Sequence, residues 1–152
     1  MTTSVRRPIP WEDKFNEPSI DEVRSHYAKP ERDLFDAARS RILEFPKVEE
    51  SFGWLGLPWR WCFSYTLPGD PTRAWAYLVP DPASPRVAMP FTEDMLKAMP
   101  VHRFKRHLKD GLAAAVEVGG IFWATFEITS KSQLDDVMDV VKRKHAQIVP
   151  KK

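Results

Sequence analysis

The side chains that commonly carry acid-base, nucleophilic or metal chemistry are few in this sequence. There are four histidines and one cysteine, and none of the histidines lies in the HExxH pattern of a metal site. We interpret His102 and His107 as members of a solvated basic helix, and Cys62 as a small apolar residue within a strand. The sequence therefore predicts no catalytic residue, no metal site and no cofactor, and it favours a binding protein over an enzyme.

Aromatic residues in the middle of the chain give the clearest binding signal. From Trp59 to Leu67 apolar and polar residues alternate with the period of a strand, and a second strand follows a Pro-Gly-Asp-Pro-Thr loop, from Arg73 to Val79. A register that pairs Leu67 with Arg73 makes one face of this hairpin almost wholly aromatic. The opposed pairs are then Tyr65 with Trp75, Phe63 with Tyr77, and Trp61 with Val79.

This aromatic face has two interpretations. It is part of the core if the predicted helices cover it completely. If the cover is incomplete, the face forms a cleft for a small planar or apolar ligand, or a twofold interface in a homodimer. The candidate ligand-binding residues are Trp59, Trp61, Tyr65, Trp75 and Tyr77.

A basic segment is the second candidate site. Residues 101–109 place positive side chains around a helix that Phe104 and Leu108 anchor, which is a pattern that binds nucleic acid. The candidate residues are Arg103, Lys105, Arg106 and Lys109, and the basic residues of 142–144 and 151–152 could extend the surface. Because such charge runs also occur on ordinary solvated helix faces, nucleic-acid binding is the alternative function.

The first part of the chain predicts an arm followed by two helices. Residues 1–18 contain three prolines among polar neighbours, and we interpret them as an extended arm that Ile9, Trp11 and Phe15 attach to the body. Ser19 and Glu22 have the spacing of a capping box, which predicts the start of a short helix. A second helix is expected to follow with Pro30 in its first turn.

The last part of the chain predicts a strand, a helical region, a hairpin and a closing helix. In the strand at residues 87–91, Pro90 indicates that the strand lies at a sheet edge or stops there, because proline lacks an amide donor. We expect the helical region to end in a turn at Asp110-Gly111, and Gly119-Gly120 to form a tight hairpin turn. Residues 112–116 suit a strand of that hairpin but could also be helical. The apolar stripe of the closing helix is Leu134, Val137, Met138, Val141, His145 and Ile148.

Together these elements predict an α+β fold, with a mostly antiparallel sheet of about five or six strands and helices packed chiefly on one face. The 152 residues, 43% hydrophobic and 29% charged, suit a single domain over residues 19–152. The formal net charge of +2 is too small to indicate a polyanionic partner by itself. No apolar run approaches the roughly 18 to 20 residues of a membrane span, so we expect a cytoplasmic protein without membrane contact.

The layout also carries a family resemblance. The stretch EFPKVEESFGW leads from a helix into strands, and AWAYLVPD, RVAMPF and GGIFWATFEI precede the closing helix. Over roughly residues 31–147 this order resembles the YdhG-like and YjbR-like small domains of unknown function. The resemblance implies an α+β fold and either a frataxin-like iron chaperone or a DNA-binding protein. An iron chaperone needs a crowded acidic surface, whereas the acids between Asp21 and Asp36 alternate with basic residues that weaken cation binding.

Overall fold

The strands pair into one antiparallel sheet. The computed structural model describes residues 10–55, 59–69 and 73–148. Within those residues the spatial order of the strands is β1-β2-β3-β4-β6-β5. The strands are β1 (Glu49–Trp54), β2 (Trp61–Thr66), β3 (Ala76–Val79), β4 (Arg86–Phe91), β5 (Val116–Val118) and β6 (Ile121–Glu127). The predicted α+β class with a mostly antiparallel sheet is confirmed.

Along the chain the helices come before, between and after two runs of strands, β1–β4 and β5–β6. In the described residues they are α1 (Ile20–Ser25), α2 (Lys29–Leu43), α3 (Glu93–Ala98), α4 (Arg106–Ala113) and α5 (Lys131–Ile148), with 3-10 turns at Pro10–Glu12 and Val101–Arg103. The capping box of α1 is confirmed, because the Glu22 amide donates to the Ser19 hydroxyl at 3.1 Å and the Ser19 amide donates to the Glu22 carboxylate at 3.2 Å. This capping box helps the six-residue helix α1 to keep its helical geometry, because it satisfies amides that have no partner within the helix.

The region around α4 and the second hairpin corrects one prediction and confirms another. Asp110 and Gly111, expected in a turn, lie inside α4, so that prediction was wrong. At position 111 the helix lies so close to the sheet that any side chain would collide with Phe126, so the position requires glycine. Glycine has a poor helix propensity, and tertiary packing outweighs it here. The Gly119-Gly120 turn is confirmed, with φ angles of 58° and 85° that suit glycine.

The main core lies between the helices and one face of the sheet, which we call the helix-covered face. Alternate residues of each central strand point into it, as the period of two requires. Its fully buried members include Phe63 and Tyr65 on β2, Leu78 on β3, Val87 and Met89 on β4, Phe35 on α2 and Val137 on α5. Residues from all five helices contact this core, so the prediction of helices on one face is confirmed.

The opposite side of the sheet, the open face, carries a smaller cluster. Cys62, Val79 and Ala88 are its buried strand residues on this face, with Tyr77 partly buried beside them. Around the start of β2 the cluster continues to Trp11, Trp54, Trp59 and Trp61. The N-terminal segment joins this cluster through Trp11, as predicted, since Trp11 is 8% exposed and the Trp61 Nε1 donates to the Asp13 carbonyl at 2.6 Å. Phe15 was also expected to pack on the body, but it is 90% exposed, so that part of the prediction was wrong. Residues 1–9 of the predicted arm lie outside the described residues.

The register of the aromatic hairpin differs from the prediction. The observed partners are Phe63 with Leu78, Ser64 with Tyr77, and Tyr65 with Ala76, so the predicted pairing was wrong by one residue. The Trp75 amide also donates to the Tyr65 carbonyl at 2.9 Å, so two residues face one, as in a β-bulge. A shift of one residue reverses the faces, and it places Tyr77 on the open face while Trp75 stays on the helix-covered face.

The position of β4 also differs from the prediction. Pro90 was expected at a sheet edge or at the end of its strand. The edge alternative was wrong, because β4 lies between β3 and β6 and Pro90 pairs with Trp123, and the strand ends one residue later at Phe91. The proline is tolerated because β3 pairs with β4 only at residues 86–88. At Pro90 the β3 side of the strand therefore carries no ladder that needs its missing amide hydrogen.

Candidate functional site

The five aromatic residues predicted to line one cleft lie in three different environments. Trp59 and Tyr77 pack with Trp123 on the open face, where the three ring centroids lie 5.1 to 5.6 Å apart. Trp61 stacks on Phe52 at 5.4 Å. Tyr65 and Trp75 belong to the core of the helix-covered face. The structure therefore does not bring the five side chains around a common cleft.

The hydroxyl of Tyr65 has a structural role in the described residues. It donates to Glu50 Oε2 at 2.9 Å, and Arg39 forms two hydrogen bonds with the same carboxylate, from Nη2 at 2.7 Å and from Nε at 2.9 Å. Burial, together with the charge of Glu50, raises the pKa of Tyr65 above its ordinary value. The phenol thus stays protonated and ties β2 to β1 and α2.

The basic segment carries less unpaired charge than the sequence indicates. Two of its side chains contact Asp136: Lys105 Nζ lies 3.3 Å from the carboxylate, and His107 Nε2 lies 3.0 Å from it. Arg106 pairs with Asp110 at 3.8 Å. The hydrogen bond from His107, with help from Lys105, holds the pKa of Asp136 below its usual value. Arg103 and Lys109 are exposed, and nucleic-acid binding by this segment stays a prediction.

The residues that the structure does bring together surround a cavity of about 340 Å³ on the helix-covered side. It lies where β3 and β4 separate, between the start of α3 and the end of α5. Its walls are mainly apolar, and the exposed residues Gly69, Arg73 and Thr92 mark its open side. The other lining residues are Leu67, Ala74, Trp75, Pro90, Phe91, Met95, Ile121, Lys144 and Ile148. This volume and lining are typical of a small-molecule site.

Lys144 on α5 is the unusual member of this lining, because it is only 2% exposed. Its Nζ donates to the Trp75 carbonyl at 2.6 Å and to the Pro90 carbonyl, and it lies 5.2 Å from the centroid of the Phe91 ring. Burial lowers the pKa of Lys144 from 10.5 to about 7. At neutral pH the amine is therefore close to the midpoint of its titration.

The position of Lys144 follows from the β3–β4 ladder. If the pairing of Tyr77 with Ala88 continued by two residues, Trp75 would face Pro90. Because Pro90 has no amide hydrogen, it cannot donate to the Trp75 carbonyl, and buried carbonyls need a donor. The lysine Nζ supplies hydrogen bonds to both carbonyls, so the amine is held in place by backbone on two sides.

Trp75 is the one predicted ligand-binding residue that lines the cavity. Its ring meets Phe45 edge-on, with centroids 5.5 Å apart, and lies 5.3 Å from the His145 ring. Burial lowers the pKa of His145 below its ordinary value, so this imidazole is neutral near pH 7. These contacts fix the indole as one wall of the site.

Metal and thiol chemistry have little support in the described residues. There is no group of three or more His, Cys, Asp or Glu side chains there that could hold a metal ion. Cys62 is buried, and burial raises the pKa of its thiol to about 12, which leaves almost no thiolate at neutral pH. The frataxin-like alternative therefore finds no candidate ligand cluster in this part of the chain.

Fold and site together define an α+β protein with an apolar cavity and a buried amine in its wall. No protein-family model matches the chain, and a comparison with curated proteins finds no match either. The resemblance to YdhG-like and YjbR-like domains stays a prediction. Among the described helices, none is long and apolar enough to cross a bilayer.

Proposed function

We propose that this protein binds a small, largely apolar molecule in the cavity between β3, β4, α3 and α5. The observation that carries the proposal is the 340 Å³ space itself, lined mainly by apolar side chains with Lys144 at its wall. The space opens to solvent, so its apolar walls contact water, and a ligand of matching shape would remove that apolar surface from water. The proposal keeps the predicted class of function, a binding module, and moves the site to the cavity beside Trp75.

The size of the cavity limits the ligand. Its volume is at the lower end of the range seen for small-molecule sites, about 300 to 1,000 Å³. A single aromatic ring with a short chain, or a medium-length alkyl chain, suits this space. Trp75 offers part of its indole to such a ligand, and the partly exposed Leu67, Met95 and Ile148 offer aliphatic surface.

Isothermal titration calorimetry with two neutral probes, 3-phenylpropan-1-ol and octan-1-ol, tests the proposal. We expect at least one of them to bind with a Kd of about 1 mM or tighter, given typical affinities per ligand atom. Ala74 lines the cavity and is buried, so Ala74→Leu should fill part of the space and weaken binding about ten-fold or more. The matched control is Ala146→Leu at an exposed position of α5, which should leave binding unchanged.

Two results would contradict the proposal. If Ala74→Leu binds the probes as well as the wild type does, the probes occupy another place on the protein. If no probe with either carbon skeleton binds, whatever its head group, the cavity is not a site for ligands of this size.

A further inference from the structure

We infer that the ligand is a small carboxylic acid whose carboxylate accepts a hydrogen bond from Lys144 while its apolar body fills the cavity. This inference rests on the proposed function and names the chemical class of the ligand. It comes from the hydrogen bonds of the amine, from the charges around it and from the apolar lining.

The hydrogen bonds of Lys144 leave one donor unused. An ammonium group has three N–H bonds, and Lys144 makes hydrogen bonds to two acceptors, the carbonyls of Trp75 and Pro90. Both are backbone groups of strands whose position the sheet fixes, so the third N–H is directed away from them. An acceptor on a ligand in the cavity can take this third bond.

The charges around Lys144 favour an anion. Among the described residues, no carboxylate lies within ion-pair distance of Lys144, and no acidic residue is part of the cavity lining. The nearest acids along α3 are elsewhere, since Glu93 pairs with Lys97 at 3.2 Å and Asp94 is exposed. A buried cation without a carboxylate partner is costly, and an anionic ligand removes that cost.

A single carboxylate fits the site better than a phosphate group. A phosphate carries up to two charges and three acceptor oxygens, so it needs several donors to replace its hydration. At the buried end of the cavity, Lys144 offers one unused N–H, and its neighbours there, Trp75, Pro90 and Phe91, are apolar side chains. A monoanion with an apolar body therefore matches the available donor and the available surface.

Binding of such an acid should be linked to proton uptake. Burial lowers the pKa of free Lys144 to about 7, so at pH 8 most molecules hold a neutral amine. A bound carboxylate stabilises the ammonium form, and the protein must therefore take up close to one proton from the buffer. The neighbouring His145 has a lowered pKa and is neutral at this pH, so it is not the group that takes up the proton.

The test compares head groups on two fixed carbon skeletons. For the aromatic skeleton the probes are 3-phenylpropionate, 3-phenylpropan-1-ol and 3-phenylpropylamine, and for the aliphatic one they are octanoate, octan-1-ol and octylamine. At pH 7 we expect each acid to bind at least ten-fold more tightly than its alcohol, and each amine most weakly. At pH 8, calorimetry in two buffers of different ionisation enthalpy should show uptake of close to one proton with the acid and none with the alcohol.

Variants assign the effect to the amine. In Lys144→Met the advantage of the acid over the alcohol should disappear, and Lys144→Gln, which keeps amide donors for the backbone carbonyls, should show the same loss. Lys142→Met, at an exposed position of the same helix, is the control and should bind like the wild type. Because the proton measurement uses the wild type alone, it remains decisive if either variant at Lys144 fails to fold.

The outcomes separate the two proposals. If the alcohols bind as tightly as the acids and no proton is taken up, the carboxylic acid inference is overturned while the proposed function stands. If none of the six compounds binds, both proposals are overturned. Tight acid binding that is lost in both Lys144 variants and in Ala74→Leu supports both.

Discussion

The two faces of the sheet carry aromatic rings in different surroundings. On the open face, the rings of Trp59, Tyr77 and Trp123 pack against one another, with ring centroids 5.1 to 5.6 Å apart. On the helix-covered face, Trp75 borders a cavity of about 340 Å³, beyond the Tyr77–Ala88 pair at which the β3–β4 ladder ends. The comparison teaches that a dense run of aromatic residues does not by itself locate a binding site. The space comes from interrupted backbone pairing.

The largest expected effect tests whether the two faces differ in their contribution to stability. Phe63 is fully buried on the helix-covered face, and Phe63→Ala should lower the free energy of unfolding by about 3 to 5 kcal/mol. Trp123 is partly exposed on the open face, so Trp123→Ala should cost less than about 2 kcal/mol despite the larger side chain. Urea denaturation monitored by circular dichroism measures both. Equal losses would mean that the open face is a second core of similar weight.

The second effect concerns pH and the buried amine. Native Lys144 has a pKa of about 7 against 10.5 in the unfolded chain, so between these values the unfolded state binds more protons. Stability therefore rises with pH across this window, by up to about 1.4 kcal/mol per pH unit. The difference in unfolding free energy between wild type and Lys144→Met should shift by about 3 kcal/mol in favour of the wild type from pH 7 to about pH 10.

The same experiment has an internal check. Other titrating groups are common to both proteins, so they cancel in the difference. Lys142→Met, which removes an exposed amine, should give a difference that stays flat over the same pH range. A flat difference for Lys144→Met as well would show that Lys144 titrates like an exposed lysine, which contradicts its burial between Trp75 and Pro90.

The fold was largely predictable because its signals are local. Ser19 and Glu22 predicted a helix start, Gly119-Gly120 predicted a turn, and alternation along β2 predicted a strand, since each pattern depends on a few neighbouring residues. The β2–β3 register was not predictable from alternation. The bulge at Trp75 inserts one residue without changing the hydrophobic pattern, and one residue is enough to exchange the faces.

The site was harder to predict because its main residue resembles an ordinary surface lysine. Lys144 ends the run Lys142-Arg143-Lys144, which matches the basic last turn of a helix. Its spacing gives another signal, since Val137, Val141, Lys144 and Ile148 are four, three and four residues apart and share one helix face. A lysine in an apolar stripe predicts a buried amine. Its partners, two backbone carbonyls of distant strands, need the tertiary structure.

The smallest expected effect tests how tightly the helix-covered face is packed at a position outside the cavity. A Cβ added at Gly111 in α4 would lie 2.5 Å from Cε1 of Phe126, so Gly111→Ala must displace the ring or the helix. Overpacking of this kind costs about 1 to 3 kcal/mol, whereas the helix propensity of alanine returns up to about 1 kcal/mol. We expect a net loss of about 1 kcal/mol in urea denaturation. The control is Gly53→Ala on β1, where a Cβ meets no atom within 4 Å, and it should be neutral or stabilising. If Gly111→Ala stabilises the protein, α4 can move away from Phe126 at no cost. The helix-covered face would then be loosely packed here as well, and tight packing would not distinguish this region from the cavity.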